Sequence, residues 1–417
     1  MTRTSIWIAA IVAVAGMALT ACGGDGADAC DRTVSPGDDD RTTVQTMFEE
    51  AQAGETLCFS PGTYSFDDGV SLSDLDGITV RGTGADRDDV VLDFFPMGTG
   101  NSGLNISGMT RFTIENVRVL DAAQNNVFIT DSTDVIIRNV SSGWVQRPPE
   151  SAGKYAIYPV LSQRVLIEDS EAFGSADAGL YVGQTQDCVV RNNLAYENVA
   201  GIEIENSSRC EVYGNEAYDN TAGILVFELP GIERHGDSTL VHDNVVRDNN
   251  HRNFARDGIV ALVPAGVGVM ILAANQVEVR DNTITGNDSS GILVVSFATV
   301  VIIDSSTDPS TTDPDYDGFS EDIWLHDNTT SDNGQAPDSI LALIGSQATP
   351  PVSTLEDILY DAFVPEGSTE PELCISMTGT IRSAMPLEGG MFPEQSTDAS
   401  LYDCTGATVA GVEPPSF

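Results

Sequence analysis

Two tyrosines and two glutamates recur at a spacing that suits chemistry on a sugar. Tyr158, Tyr181 and Glu203 take equivalent outward places in successive short strands, Tyr181 in Gly179-Leu-Tyr-Val and Glu203 in Gly201-Ile-Glu-Ile, and Glu205 lies in the next outward row. Aromatic rings stack on apolar sugar faces, and carboxyls beside them bond hydroxyls or move protons. A glycosidase needs two carboxyls across the scissile bond. Glu203 and Glu205 stand two apart on one strand face, roughly 6.6–7 Å by strand rise. A lyase or epimerase needs a base such as Lys154 or a tyrosine, with arginine or Ca²⁺ to hold a uronate carboxylate. Lys154, Arg147 and Asp177 fall where they could wall such a cleft. The plainer alternative, a solvated outer sheet, stays open at this stage.

What positions these residues is a repeat. Residues 193–204 read NLAYENVAGIEI and residues 215–226 read NEAYDNTAGILV, a near copy 22 residues on. One piece of the motif runs apolar-x-apolar-x-x-Asn, ending at Asn193, Asn215, Asn244, Asn282 and Asn328. The other is Gly followed by alternating apolar residues, as at Gly179, Gly201, Gly223, Gly268 and Gly291. Period-two alternation means strands with one face inward. Two or three strands per coil of about 22 residues describe an all-β fold, a parallel β-helix whose coils touch only their neighbours. The asparagines predict a structural ladder of stacked amides along one corner.

Three insertions interrupt the period, at residues 142–154, 228–238 and 248–265, and loops on a rigid scaffold are where function gathers. The outward rows of the Gly-led strands turn apolar in the later coils, at Leu225, Phe227, Met270, Leu272, Leu293 and Val295. A bare patch of that kind is costly, so loops or the C-terminal segment are expected to cover it.

Acidic residues outnumber basic ones 63 to 19, for a net charge of −44, and Lys154 is the only lysine. Such a surface repels nucleic acid and anionic lipid, and it meets an anionic polysaccharide only where Ca²⁺ bridges the two. Asp313-Pro-Asp315-Tyr-Asp317-Gly318 matches the start of an EF-hand Ca²⁺ loop, but Trp324 stands where the loop needs glutamate. Ca²⁺ is the one cofactor expected; no zinc, haem or nucleotide motif is found.

The first residues carry Arg3, an apolar run from Ile6 to Leu19, and Leu19-Thr20-Ala21-Cys22. This resembles a bacterial lipoprotein signal (residues 1–21) with Cys22 as the lipidated residue, followed by a flexible tether (residues 22–40). It implies a monomer in the cell envelope, held by its lipid anchor at the outer membrane, in the periplasm or at the cell surface. Six further cysteines suit an exported chain. Cys188 and Cys210 share one inward position in adjacent coils, close enough for a disulfide or for two packed thiols. With the disulfide, Cys30–Cys58 and Cys374–Cys404 would staple the two ends.

Helical spacing over residues 42–53, the turn Pro61-Gly62-Thr63-Tyr64 and the strand starting Ile78-Thr-Val resemble the opening of pectate-lyase-like right-handed β-helices. Gly179-Leu-Tyr-Val, Gly201-Ile-Glu-Ile-Glu-Asn and Gly223-Ile-Leu-Val-Phe-Glu are most similar to exported bacterial β-helix proteins of unassigned role. The resemblance implies a right-handed parallel β-helix over residues 41–345, of roughly nine or ten coils, with a C-terminal capping segment over 346–417. Within that segment Ser353-Thr-Leu-Glu356 reads as a capping box before a short helix at 357–363. The superfamily's catalytic signatures, such as Asp-Pro-His-Asp of alginate epimerases, are absent here. The expected function is carbohydrate binding, or polysaccharide modification of the lyase, epimerase or hydrolase class. The alternative is an accessory protein that docks a periplasmic protein through the apolar outward rows.

Overall fold

A computed structural model describes residues 29–417 apart from 101, 315, 369–371 and 388–390. The signal segment and Cys22 lie outside the described residues, as does Asp315.

The chain winds as a parallel β-helix with three strands per coil. One coil is Ala178–Gly183, Gln186–Arg191 and Leu194–Tyr196; the next is Ala200–Glu205, Ser208–Tyr213 and Glu216–Tyr218. Each pairs in parallel with its counterpart one coil on, with Leu180 beside Ile202, Cys188 beside Cys210 and Ala195 beside Ala217. The first strands of the coils form one sheet, of twelve strands among the described residues; the second and third strands form the other. Inward side chains such as Ile202, Val212 and Ala217 are wholly buried. Left-handed residues turn the three corners, Gln184, Asn192 and Glu197 in one coil and Asn206, Gly214 and Asp219 in the next. Asparagine and glycine accept that conformation at least cost, which is why they punctuate the repeat.

Two amide ladders run down the interior. In the expected one, Asn193 Nδ2 donates to Asn215 Oδ1 at 2.9 Å, and the relay continues through Asn244, Asn282 and Asn328. A second runs through Asn198, Asn220, Asn249, Asn287 and Asn333. The backbone N–H of each donor residue bonds the same Oδ1, as from Asn193 to Asn215 at 3.0 Å, so the relay saturates corner groups that water cannot reach.

Helix α1 (Asp40–Glu49) seals the first coil through Val44, Met47 and Phe48, its N-terminus capped by Asp39. The disulfides are Cys30–Cys58, Cys188–Cys210 and Cys374–Cys404. At the other end two expectations are corrected. The coils do not stop at residue 345: strands Ile358–Tyr360, Leu373–Ser376 and Ile381–Ala384 extend both sheets, and Gln395–Ser396 closes one edge antiparallel. The short helix expected at 357–363 is instead the strand Ile358–Tyr360, because Ile358, Leu359 and Tyr360 pair with Ile292, Leu293 and Val294. Edge pairing overrides the local capping signal. Beyond Cys404 the tail runs back along the outer sheet, where Val409 and Val412 N–H groups donate to Glu278 and Glu211.

The apolar outward rows are covered as expected. Leu225, Phe227, Met270, Leu272, Leu293 and Val295 are all buried. Helices α2 (Phe297–Ile303) and α3 (Ser339–Gln347) belong to two further insertions and pack with the segment around Ile259–Leu262 beside the later rows.

Candidate functional site

The strands bring most of the expected residues together. Tyr158 follows Phe128 in the outward row, and Tyr181, Glu203 and Leu225 succeed it in register. The rings of Tyr155, Tyr158 and Tyr181 stand 4.3–4.8 Å apart, centre to centre. Gly183 decides the pose of Tyr181. A Cβ at Gly183 would strike the Tyr181 ring, so its absence lets the ring lie along its own strand. From there Tyr181 Oη donates to Glu205 Oε1 at 2.7 Å.

The cleft expected over these residues is closed. Asp177, Tyr181 and Glu203 are buried, Glu203 with only 2% exposure. The reason is the insertion at 248–265, which folds back over the earlier coils. Arg256 donates to the Glu150 and Ala152 carbonyls, and Lys154 Nζ bonds Asp257 Oδ1 at 2.5 Å. Burial, before any other cause, raises the Asp177 carboxyl to about 7, although Lys154 and Tyr155 pull it down. Burial likewise raises Glu203 well above the usual carboxylate range, with Asp177 and Glu205 adding repulsion. Glu203 Oε2 has no hydrogen-bond partner among the described residues. A carboxyl so placed keeps its proton rather than stand as an unpaired charge.

Arg147 does not join the cluster. Its guanidinium donates to the Asp121 and Met97 carbonyls and lies over the Phe95 ring. The Ca²⁺ candidates part company as well. Asp313 accepts from Gly231 N–H at 2.9 Å, while Asp317 caps Phe319 N–H. No group of three or more metal-ligating side chains converges among the described residues.

Beside the closed cluster lies an open polar groove of about 570 Å³, which the sequence reading missed. It follows the corner just past the Gly-led strands, across successive coils. Thr133, Gln163, Gln186 and Ser208 line it at one coil spacing, with Gln184 beside them, over the buried Ser132, Ser162 and Thr185. The corner hydroxyls form a ladder: Ser132 N–H donates to Ser162 Oγ and Thr185 N–H to Ser207 Oγ. The signal available in the sequence was the Ser or Thr one place before the second strand of these coils, at Ser132, Ser162, Thr185 and Ser207.

Arg234 and His235, from the insertion at 228–238, form one wall. Arg234 is fixed by the Gln184 carbonyl, and His235 Nδ1 meets Glu228 Oε1 at 2.5 Å. Asn206 and the Gly236 N–H also bond the Glu228 carboxyl. Burial nonetheless raises that carboxyl to about 7, with its bonds to Gly236 and His235 opposing. On the far side His235 Nε2 stands 3.8 Å from Asp313. A half-exposed imidazole backed by a carboxyl near neutrality can pass a proton to or from a groove-bound hydroxyl.

The family model for the right-handed β-helix region matches residues 76–233 and 150–308, which together take in more than half the chain. The chain belongs to the right-handed β-helix family. Among solved structures it is similar to the A-module of mannuronan C-5 epimerase AlgE4 from Azotobacter vinelandii. That likeness has 16% identity and a TM-score of 0.54, and covers 84% of this chain and 95% of that one. The A-module of the AlgE6 epimerase from the same organism has 14% identity and a TM-score of 0.52, covering 83% of this chain and 90% of that one. At these identities the likeness concerns the fold. No curated protein matches the chain by sequence.

Proposed function

We propose that this right-handed β-helix protein is an exported, lipid-anchored glycan-binding protein whose ligand lies in the polar corner groove. The observation that supports this most is the lining: hydroxyl and amide side chains repeat at one coil spacing, with a single guanidinium and imidazole at one wall. Amides and hydroxyls fixed at regular intervals match the regular hydroxyls of a polysaccharide. Arg234, the one arginine or lysine among the described residues that line the groove, supplies a cation for an acidic sugar. The His235–Glu228 pair gives the groove acid–base capacity, so turnover of the lyase, epimerase or hydrolase class is the extension to assay once a ligand is found. Three disulfides and the sequence before Cys22 support export and anchoring.

The test is a glycan array with the chain from Gly23 onward, then titration of any hit against Gln186→Ala and His235→Ala. Both variants are expected to weaken binding at least tenfold. Unchanged affinity in both, or silence across neutral and acidic glycans, overturns the reading. The alternative of a docked protein partner rested on exposed apolar rows, and those rows are buried.

A further inference from the structure

The covered part of the outward face encloses a second cavity, remote in chemistry from the polar groove. Its volume is about 360 Å³, and its walls are almost wholly aliphatic. The floor is one outward row in which Met270, Leu293 and Leu359 lie side by side in register, followed by Arg382. Leu272 and Val295 of the neighbouring row flank it. Val300 and Ile303 of α2 and Ile344 of α3 line the other walls.

The register gives the cavity a length. Three coil steps amount to about 14 Å at strand spacing. An apolar slot of that length and volume suits one extended methylene chain.

The polar groups at the cavity are spoken for. Asp361 Oδ2 accepts from Ser296 N–H, Ser296 Oγ and Thr299 Oγ1, and Asp361 Oδ1 from Phe363 N–H. Arg382 is bidentate to Glu356 at 2.6 and 2.7 Å and reaches Gln395 at 2.9 Å. Neither has a strong partner to offer, so a ligand inside must be apolar along its length. Its polar head must then sit at the mouth, where Ile303 and Leu343 stand 44% and 43% exposed. Aliphatic walls around an open space lack contacts, and a matching apolar occupant restores them.

We propose that this cavity binds a single acyl chain, taken from a free fatty acid or from a membrane lipid. The chain from Gly23 onward, which carries no lipid of its own, is titrated with the fluorescent fatty acid cis-parinaric acid, which tetradecanoic acid is then made to displace. Vesicles of phosphatidylcholine form the second arm. Leu293→Trp, which fills the floor, and Ile344→Phe, which fills a wall, are each expected to weaken binding at least tenfold while circular dichroism stays unchanged. Binding of the free acid alone assigns a soluble ligand, and binding of vesicles alone assigns a lipid chain. Absence of binding in both arms overturns the proposal. So does wild-type affinity in a folded variant; if Leu293→Trp fails to fold, Ile344→Phe decides.

Discussion

Lys154 Nζ and Asp257 Oδ1 meet at 2.5 Å although 103 positions separate them in the chain. The pair fastens the insertion at 248–265 to the coil that carries Tyr155 and Tyr158, and so closes the acidic cluster. Both partners are partly exposed, Asp257 mostly so. The bond itself is therefore worth no more than about 1 kcal/mol, less in salt. Lys154→Met should leave the unfolding midpoint nearly unchanged while limited proteolysis within residues 250–258 speeds up. Unchanged cleavage would show that the Arg256 bonds hold the insertion unaided.

The buried carboxyls make stability fall as pH rises. Folded Asp177 titrates at about 7 and Glu203 is also raised, both chiefly by burial, whereas the unfolded chain releases these protons near 4. Between about 4 and 7 the folded state therefore holds more protons, and each step upward favours unfolding until the folded groups ionise. Glu203→Gln keeps the neutral shape. It should match the wild type at pH 4 and be the more stable of the two at pH 8 in urea denaturation. Parallel curves at both pH values would show that Glu203 is ionised in the fold.

Gly183 should tolerate no side chain. Gly183→Ala pushes the Tyr181 ring off its strand and breaks its bond to Glu205. A loss of about 1–3 kcal/mol is expected, from overpacking in a filled layer. Tyr181→Phe, which keeps the ring and loses the hydroxyl, should cost about 1 kcal/mol. Equal losses in the two variants would deny the steric account.

The amide ladders predict a gradient. Asn220 accepts from Asn198 and donates to Asn249 and to the Ala195 carbonyl, all buried. Asn220→Ala should cost about 2–4 kcal/mol, since it strands groups above and below it. Asn198 begins the relay: its Oδ1 accepts the Ser175 N–H but no side-chain amide, so Asn198→Ala should cost less. Thermal unfolding of the two variants side by side gives the comparison.

Much of this architecture was legible because alternation and inward burial obey one rule in every coil. Asn193 and Asn215 announced a ladder, and Asn198 and Asn220 announced its twin in the same twelve residues, though only the first was taken up. The outward rows were read in correct register, which is why the covering of Leu225 and Leu293 was foreseeable. The lids themselves were not. Phe297-Ala-Thr-Val-Val-Ile-Ile303 is β-branched and reads as strand, yet it is helix α2, packed by Phe297 and Val300. Tertiary contact outweighed its propensity. The candidate site was half legible for the same reason. Tyr158, Tyr181, Glu203 and Glu205 were placed by strand register, but whether they faced solvent depended on an insertion of no fixed period. The Lys154–Asp257 bond across 103 residues leaves no local trace in sequence.

The 22-residue echo between 193–204 and 215–226 follows from the ladders. A rung whose amide accepts from the coil before and donates to the coil after presents complementary chemistry on its two sides. A copied coil therefore docks on its own template with every corner bond already matched, as a new layer does on a crystal face. Lengthening such a molecule by tandem duplication requires no new design at the joint, and the twin asparagines record where that growth was free to occur.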